Sequence, residues 1–529
     1  MSSGALKDFR TKKAGAIKIT RVEEQKNDRI IMSNRKFNRR AVDIAGNLTG
    51  KCCRMFSKSR IFLFLFVLTG ITSGLAQNSD NKKLQQLTVQ LRGVYDAKVS
   101  VSAYGNGKYQ APFSEIPDVK EKVQISIPEE HLPGQFLLRM DYRKKAEDQP
   151  YPAEFVFFMN KHDLALKLNP LNLLPDSIDF GNDDENPVYY GFLKGNEERR
   201  QQLVLLEQVL GGYDSPGSQF YKIAKEEFEK RRVGYNAWIT QQETRHKDLF
   251  VSRLFAFLKV IPLRWDVPAE QQLNEQALHY FDEINLGDEL LVKTQAFSDF
   301  LNGYVAMFGR HVRNETERDS MFTRAGRMAC SRAAQGHPKV YGWVVDYFYS
   351  GYETYGITSG MKMLEKHIQN PNCLTSKKQE IVRRLEGMEK LVEGAVAPSF
   401  EAELANGMQV RFNGISKDKT YGLLVFYESD CSHCKELLQG MKTWYEKPES
   451  SVWFDVISIA VDDDQEKWKK YHQQQNYKWT DVWAPGGINS KISNDYYILS
   501  TPVMYIVDKQ MKVLGMPKSV IEIEKFLNQ

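Results

Sequence analysis

The stretch YGLLVFYESDCSHCKELLQGM, residues 421–441, changes character at its midpoint. Its first seven residues are almost unbroken apolar sequence, as expected of a strand covered on both faces. From Cys431 onward the spacing turns helical, and Leu437, Leu438, Met441 and Trp444 share one stripe. Cys431 and Cys434 sit at the junction, with His433 just before the second thiol. A helix start gathers positive partial charge and unpaired N–H groups. A thiolate there is stabilised, and its pKa falls from about 8.5 into a range of roughly 3.5–7.5. The spacing places Cys434 about one helical turn behind Cys431, within disulfide reach. Cys431 is then the exposed, attacking thiol and Cys434 the resolving one. His433 is placed to stabilise the Cys431 thiolate, which favours the reduced form.

Two other readings fit a bare CxxC. A zinc site needs four ligands, or three and a water. The other cysteines lie far upstream, and none of the nine histidines forms a HExxH or HxxxH pair, so no metal is expected. A purely structural disulfide explains the spacing but not the position between a strand and a helix.

The surrounding sequence supplies context. APSF, residues 397–400, closes a Pro-containing linker, and Asn406-Gly407 suits a hairpin turn between two strand candidates. WFDVISIAVD reads as a second buried strand and DQEKWKKYHQQQ as an amphipathic helix. LSTPVMYIVDKQMKVLG gives two strands around a turn, and SVIEIEKFLNQ a closing helix. Thr501-Pro502 stands at the head of the third strand, where proline is tolerated and is sometimes cis. Strands alternating with helices predict an α/β sheet.

Together, strand–CxxC–helix and the downstream Thr-Pro-strand-turn-strand-helix resemble the thioredoxin fold. More closely, residues 394–529 look like exported thiol–disulfide oxidoreductases of the TlpA and ResA type. The resemblance implies a nucleophile at Cys431, a resolving thiol at Cys434, and a cis-proline at Pro502, after Thr501, that aligns the substrate backbone. It also implies a redox-active Cys431–Cys434 disulfide with no other cofactor, and protein dithiol or disulfide substrates together with a redox partner. The Cys-X-His-Cys order is similar to the more oxidising members, such as DsbA and protein disulfide isomerase. Three positions depart from the pattern. The buried Asp of thioredoxin, six residues before the first cysteine, is Val425; the Trp before that cysteine is Asp430; the helix Pro is Gln439. An acid beside Cys431, Glu428 or Asp430, raises a thiol pKa rather than lowering it. Glu428 also stands where a peroxiredoxin carries Thr, which argues against a peroxidase.

Upstream, residues 85–178 are expected to form an antiparallel β-sandwich-like domain. Short runs such as KVSVSAYG, GQFLLRMDYR and AEFVFFMN are separated by Gly, Pro, Asp and Asn. Residues 187–392 are expected to be α-helical, with Phe255, Phe257, Tyr280, Phe281, Trp343, Tyr347 and Phe348 as packing core. The architecture is therefore multidomain, and it is similar to that of bacterial envelope proteins with a C-terminal thioredoxin-like domain. A non-catalytic envelope binding or assembly protein on a thioredoxin-like scaffold is the alternative function, because fold does not fix function.

The N-terminus bears on compartment. Lys58 and Arg60 precede the apolar run Ile61 to Leu68, and Gly74-Leu75-Ala76 supplies small residues at a cleavage point. This is a signal-peptide pattern, cut after Ala76, with a run too short for a membrane span of about 20 residues. Met55 would open such a peptide, so residues 1–54 read as an over-extended start. The expected location is the periplasm of a Gram-negative bacterium. The whole chain carries +5, but residues 1–76 hold +11 of it and leave −6 for the rest, which excludes a basic nucleic-acid footprint. Export also leaves four cysteines from the six. An even number suggests a second disulfide, Cys330–Cys373, with two separate buried thiols the equal alternative.

Overall fold

A computed structural model of the chain describes residues 84–527. The expectations for residues 1–76 lie outside the described residues.

The N-terminal region is β-rich and is built from two sheets. Strands β1 (Gln85–Leu91), β5 (Lys122–Ile127) and β8 (Leu164–Leu168) run in the order β5-β1-β8. Strands β2 (Asp96–Gly105), β3 (Lys108–Tyr109), β6 (Gly134–Arg143) and β7 (Tyr151–Met159) run β3-β2-β6-β7, and β4 (Ser114–Val119) also pairs with β2. Leu87, Val89, Leu164 and Leu166 from one sheet meet Val99, Val101, Phe136 and Leu138 from the other in one core. Alternate residues of each strand thus face inward, as sandwich packing requires. The antiparallel expectation needs one correction: β8 pairs with β1 in parallel, Leu87 opposite Leu164. Residues 77 positions apart have no hairpin turn to impose direction. β8 reaches the free edge of β1 only after the chain has crossed the second sheet through β6 and β7, and its three buried leucines then complete the core.

The middle region is helical: α1 (Glu185–Gly212), α2 (Gln219–Arg245), α3 (Ala269–His279), α4 (Gln295–Gly309), α5 (Glu315–Ala333), α6 (Pro338–Tyr355), α7 (Thr358–Ile368) and α8 (Lys378–Lys390). Phe281, Trp343 and Phe348 are buried in one core, against which Phe257, Tyr280 and Tyr347 pack, and Phe255 is buried in a second one with Phe192 and Phe250. Phe250–Leu258, expected as α-helix, is a 3₁₀ segment. Side chains capture its backbone at both ends. Glu185 accepts from the N–H groups of Phe250 and Val251 at 2.8 and 2.9 Å. Asn236 brackets Val260, accepting from its N–H and donating to its carbonyl, both at 2.9 Å. Cys330 and Cys373 are buried here as free thiols, so the Cys330–Cys373 disulfide is not formed in this structure. Burial pushes the Cys373 thiol up to about 11 and Cys330 further still.

The C-terminal region is a thioredoxin-like α/β domain around a seven-stranded sheet of order β10-β9-β13-β12-β11-β14-β15. The strands are β9 (Phe400–Glu403), β10 (Gln409–Phe412), β11 (Tyr421–Tyr427), β12 (Phe454–Ala460), β13 (Thr480–Trp483), β14 (Val503–Val507) and β15 (Val513–Gly515). β11, β12 and β13 are parallel neighbours, whereas β14 runs antiparallel to β11. The hairpin turn of β9 and β10 includes Gly407 at φ +85°, the left-handed region that glycine enters without a Cβ clash. Six of the seven β11 residues are buried, as the apolar run requires. Leu424 and Phe426 face one core, and Leu423, Val425 and Tyr427 face the other. The linker is not free chain. Gly394 N–H donates to the Val513 carbonyl, Val513 N–H to Ala395 and Ala397 N–H to Met511, each at 2.7 Å. Residues 394–397 therefore extend the sheet edge at β15. Among the described residues no helix is long and apolar enough to cross a membrane.

Candidate active site

The parallel strand β11 ends at Tyr427, and the chain turns through Glu428, Ser429 and Asp430 into α9 (Ser432–Tyr445), which the short α10 (Pro448–Trp453) follows. The turn is fixed by Asp462, at the exit of β12. Its carboxylate accepts from Ser429 N–H at 3.0 Å and from Ser429 Oγ at 2.5 Å. Cys431 is the N-cap residue of α9, with φ −66° and ψ 119°, and its Sγ accepts from Cys434 N–H at 3.3 Å. Sulfur thus takes the place usually held by a Ser or Asp oxygen at a helix start. Leu438, Met441 and Trp444 anchor the inner face of α9, and Leu437 packs beside them.

Cys431 is half-buried and Cys434 fully buried. Burial, together with the Cys431 sulfur beside it, pushes the Cys434 thiol up to about 12. The two sulfurs are not bonded to each other in this structure. Cys431 Sγ lies 3.9 Å from the carbonyl oxygen of Thr501, and the Thr501–Pro502 peptide is cis. The structure therefore brings Cys431, Cys434, Thr501 and Pro502 together. His433 occupies the first turn of α9 with its side chain exposed.

Several charged groups around the thiols were not singled out by sequence. Asp464 caps α11 (Gln465–Gln475), accepting from Glu466 and Lys467 N–H groups. That capped turn delivers Lys467 to Asp430, Nζ to Oδ2 at 2.5 Å, and to within 3.8 Å of Asp462. Lys467 holds the Asp430 carboxyl below the usual carboxylate range. Burial and the neighbouring Asp430 push Glu428 the other way. Behind the thiols lies a polar network centred on Asp481 of β13. Its fully buried carboxylate accepts from Tyr427 OH at 2.9 Å, Ser458 Oγ at 2.5 Å and Trp468 Nε1 at 3.3 Å, and it pairs with His472 Nδ1 at 2.7 Å. The sequence does carry a trace of Lys467, since an Asp followed three residues later by Lys at a predicted helix start is out of register with the helix dipole. Nothing local marks Asp481, because its four partners come from three separate elements, β11, β12 and α11. Among the described residues no group of three or more His, Cys, Asp or Glu side chains is placed to hold a metal.

Residues 418–513 match the model of a family described as thioredoxin-like. No curated protein matches the chain. Among solved structures, the C-terminal domain of a putative thiol–disulfide oxidoreductase from Bacteroides thetaiotaomicron is 23% identical. It covers 26% of this chain and 95% of its own, with a TM-score of 0.25. The thioredoxin domain of a Bacteroides vulgatus thiol–disulfide oxidoreductase gives 23%, 26%, 99% and 0.23 for the same quantities. A thioredoxin-like protein from Bacteroides caccae is 20% identical and covers 51% of this chain and 96% of its own, with a TM-score of 0.32.

Proposed function

We propose that the chain is an exported thiol–disulfide oxidoreductase acting on protein substrates through Cys431 and Cys434. The observation that carries this reading is the stacking of three features at one point. A half-buried sulfur caps a helix, a fully buried thiol stands one turn behind it, and a backbone carbonyl next to a cis-proline lies 3.9 Å in front. A helix start favours the thiolate of the first cysteine, and a thiol at about 12 keeps the second protonated until it is needed.

The Cys431 thiolate attacks one sulfur of a substrate disulfide. A Cys431–substrate bond forms, the substrate S–S bond breaks, and the second substrate sulfur leaves as thiolate. Cys434 then attacks Cys431 Sγ, its proton passing to the departing substrate sulfur. The substrate leaves as a dithiol and the enzyme as the Cys431–Cys434 disulfide, two electrons having moved. The reverse sequence oxidises a substrate dithiol, and the potential of the partner selects the direction. Pro502 and the Thr501 carbonyl form the surface against which an extended substrate segment lies. His433, exposed on the first turn of α9, supports the Cys431 thiolate when protonated. The signal-peptide pattern at residues 58–76 supports export into an oxidising compartment such as the periplasm.

The test is capture. Cys434→Ser cannot resolve the mixed disulfide and is expected to accumulate dithiothreitol-sensitive adducts at Cys431 with disulfide-bearing proteins. Cys431→Ser/Cys434→Ser is expected to accumulate none. If Cys434→Ser forms no more adduct than the double variant, the enzyme reading fails.

A further inference from the structure

The residue before the attacking cysteine is an acid, which is the wrong charge for stabilising a thiolate. Asp430 is nonetheless not left alone. Lys467 reaches it from α11, at 2.5 Å, across the turn that leads into α9. Lys467 itself stands in an unfavourable place. It is the third residue of its helix, where a cation opposes the helix dipole by about 0.3–1 kcal/mol. A residue that breaks a local rule at a site needs a reason beyond its own element. The two misplaced charges supply each other's reason.

We propose that Lys467 is a positioning residue for the dithiol: by pairing with Asp430 it cancels the negative charge adjacent to the attacking sulfur of Cys431. This rests on the oxidoreductase reading for its biological meaning, but not for its physics. Each element around Cys431 contributes to the balance. The lead-in turn brings Glu428 and Asp430, α9 brings His433 and Lys435, the exit of β12 brings Asp462 and Asp463, and α11 brings Lys467. Asp462 is engaged by Ser429 and lies 3.8 Å from Lys467, farther than Asp430. Glu428 is shifted toward its neutral form by burial. Asp430 is held ionised, so it is the anion that needs compensation, and Lys467 is the cation bonded to it. The pair is about half exposed, with side-chain exposures of 43% for Lys467 and 62% for Asp430, so salt screens it.

The experiment is a double-mutant cycle on the reduced full chain. It reads the rate of Cys431 alkylation by iodoacetamide from about pH 5 to 9, with the modified peptide identified by mass. Cys434, Cys330 and Cys373 are buried thiols with raised pKa values, and the peptide mass separates Cys431 from Cys52 and Cys53. Lys467→Met is expected to raise the Cys431 midpoint by about 0.5–1 unit. Asp430→Asn is expected to lower it by a similar amount, and the double variant to return it to the wild-type value. Lys467→Arg keeps the charge and is expected to keep the midpoint. The Lys467→Met shift is expected to shrink at about 1 M salt, where the screening length is about 3 Å. A higher thiolate pKa destabilises the reduced form, so the reduction potential of Lys467→Met falls below that of the wild type. The proposal is overturned if Lys467→Met leaves the midpoint unmoved or lowers it, or if the double variant does not return to the wild-type value. If the cycle closes while Cys434→Ser captures no protein, the enzyme reading falls and the charge pairing stands. If Cys434→Ser captures protein while the cycle stays open, the charge pairing falls and the enzyme reading stands.

Discussion

Asp481 is a carboxylate with no exposed surface, and four side chains converge on it. The imidazole of His472 is the partner that titrates. Its hydrogen bond to Asp481 raises its pKa above the ordinary 6.5, against the opposing effect of burial. A raised folded-state pKa gives stability that is fully present below 6.5 and fades as pH climbs through the folded value. The wild type is therefore expected to lose unfolding free energy as pH rises above 6.5, whereas His472→Gln loses none over that window. Urea unfolding midpoints at a series of pH values check this, and parallel curves for the two proteins would contradict it. At this scale the sequence was legible where chemistry is local. Cys431 and Cys434 announce themselves by spacing, and Thr501-Pro502 by position. Ser429 and Asp481 do not, and Lys467 shows only as a cation at a helix start, because each acquires its meaning from a residue tens of positions away or across the sheet.

At the scale of elements, the joint between β-region and helices depends on the first two residues of α1. Glu185 accepts from Phe250 N–H, Val251 N–H and Asn160 Nδ2, the last at 2.8 Å. Asn186 next to it exchanges two hydrogen bonds with the backbone of Phe158, each at 2.8 Å. Glu185→Ala leaves two buried backbone N–H groups without their acceptor and is expected to destabilise the chain by about 2–4 kcal/mol. Glu185→Gln keeps one acceptor and is expected to lose about half as much. Denaturant titrations of both variants measure the difference, and a loss below about 1 kcal/mol for Glu185→Ala would contradict this role. The same residues explain why Phe250–Leu258 is not α-helical although its apolar spacing suggests it. Periodicity reports which face is buried, not whether distant side chains hold the ends of the segment. Strand β13 was illegible for a related reason. Its four residues are too few for a pattern, and its central Asp481 reads as polar surface until its partners are seen. Strand β4 carries Pro117, which obscures it in sequence. It sits beside β2 outside the main strand path, an edge position that proline tolerates. By contrast β11, α9, β12, α11 and β14 followed directly from apolar runs and three- and four-residue spacing.

Over the whole of residues 84–527, α8 carries the helical region onto the thioredoxin-like domain. Arg383 donates to the carbonyls of Ser493 and Ile498 at 2.8 and 3.0 Å. Arg384 pairs with Glu353 on α6, Nε to Oε2 at 2.9 Å, tying the same helix back to the bundle. Gly387 meets Tyr497, where a Cβ would come within 2.6 Å of the tyrosine Cβ. Arg383→Ala is expected to loosen this seam and to speed hydrogen exchange at the edge-pairing amides of Gly394 and Ala397 by tenfold or more, about 1.4 kcal/mol of local stability. The amides of β11 are expected to keep their protection. Uniform loss across both places, or no change at either, would contradict docking through α8. The seam could not be read from the chain, because residues 394–398 look like an ordinary Pro-containing linker and only the sheet edge they join shows otherwise.

Cys431 and Cys434 are expected to form a functional redox couple while the buried Cys330 and Cys373 stay out of it. The most direct measurement is equilibration of the full chain over a series of glutathione ratios, followed by acid quenching, alkylation and peptide mapping. The expected result is one two-electron transition that joins Cys431 to Cys434, is abolished in Cys431→Ser, and leaves Cys330 and Cys373 as thiols throughout. A chain in which no Cys431–Cys434 disulfide forms at any ratio, or in which Cys330 and Cys373 carry the transition instead, would contradict the account.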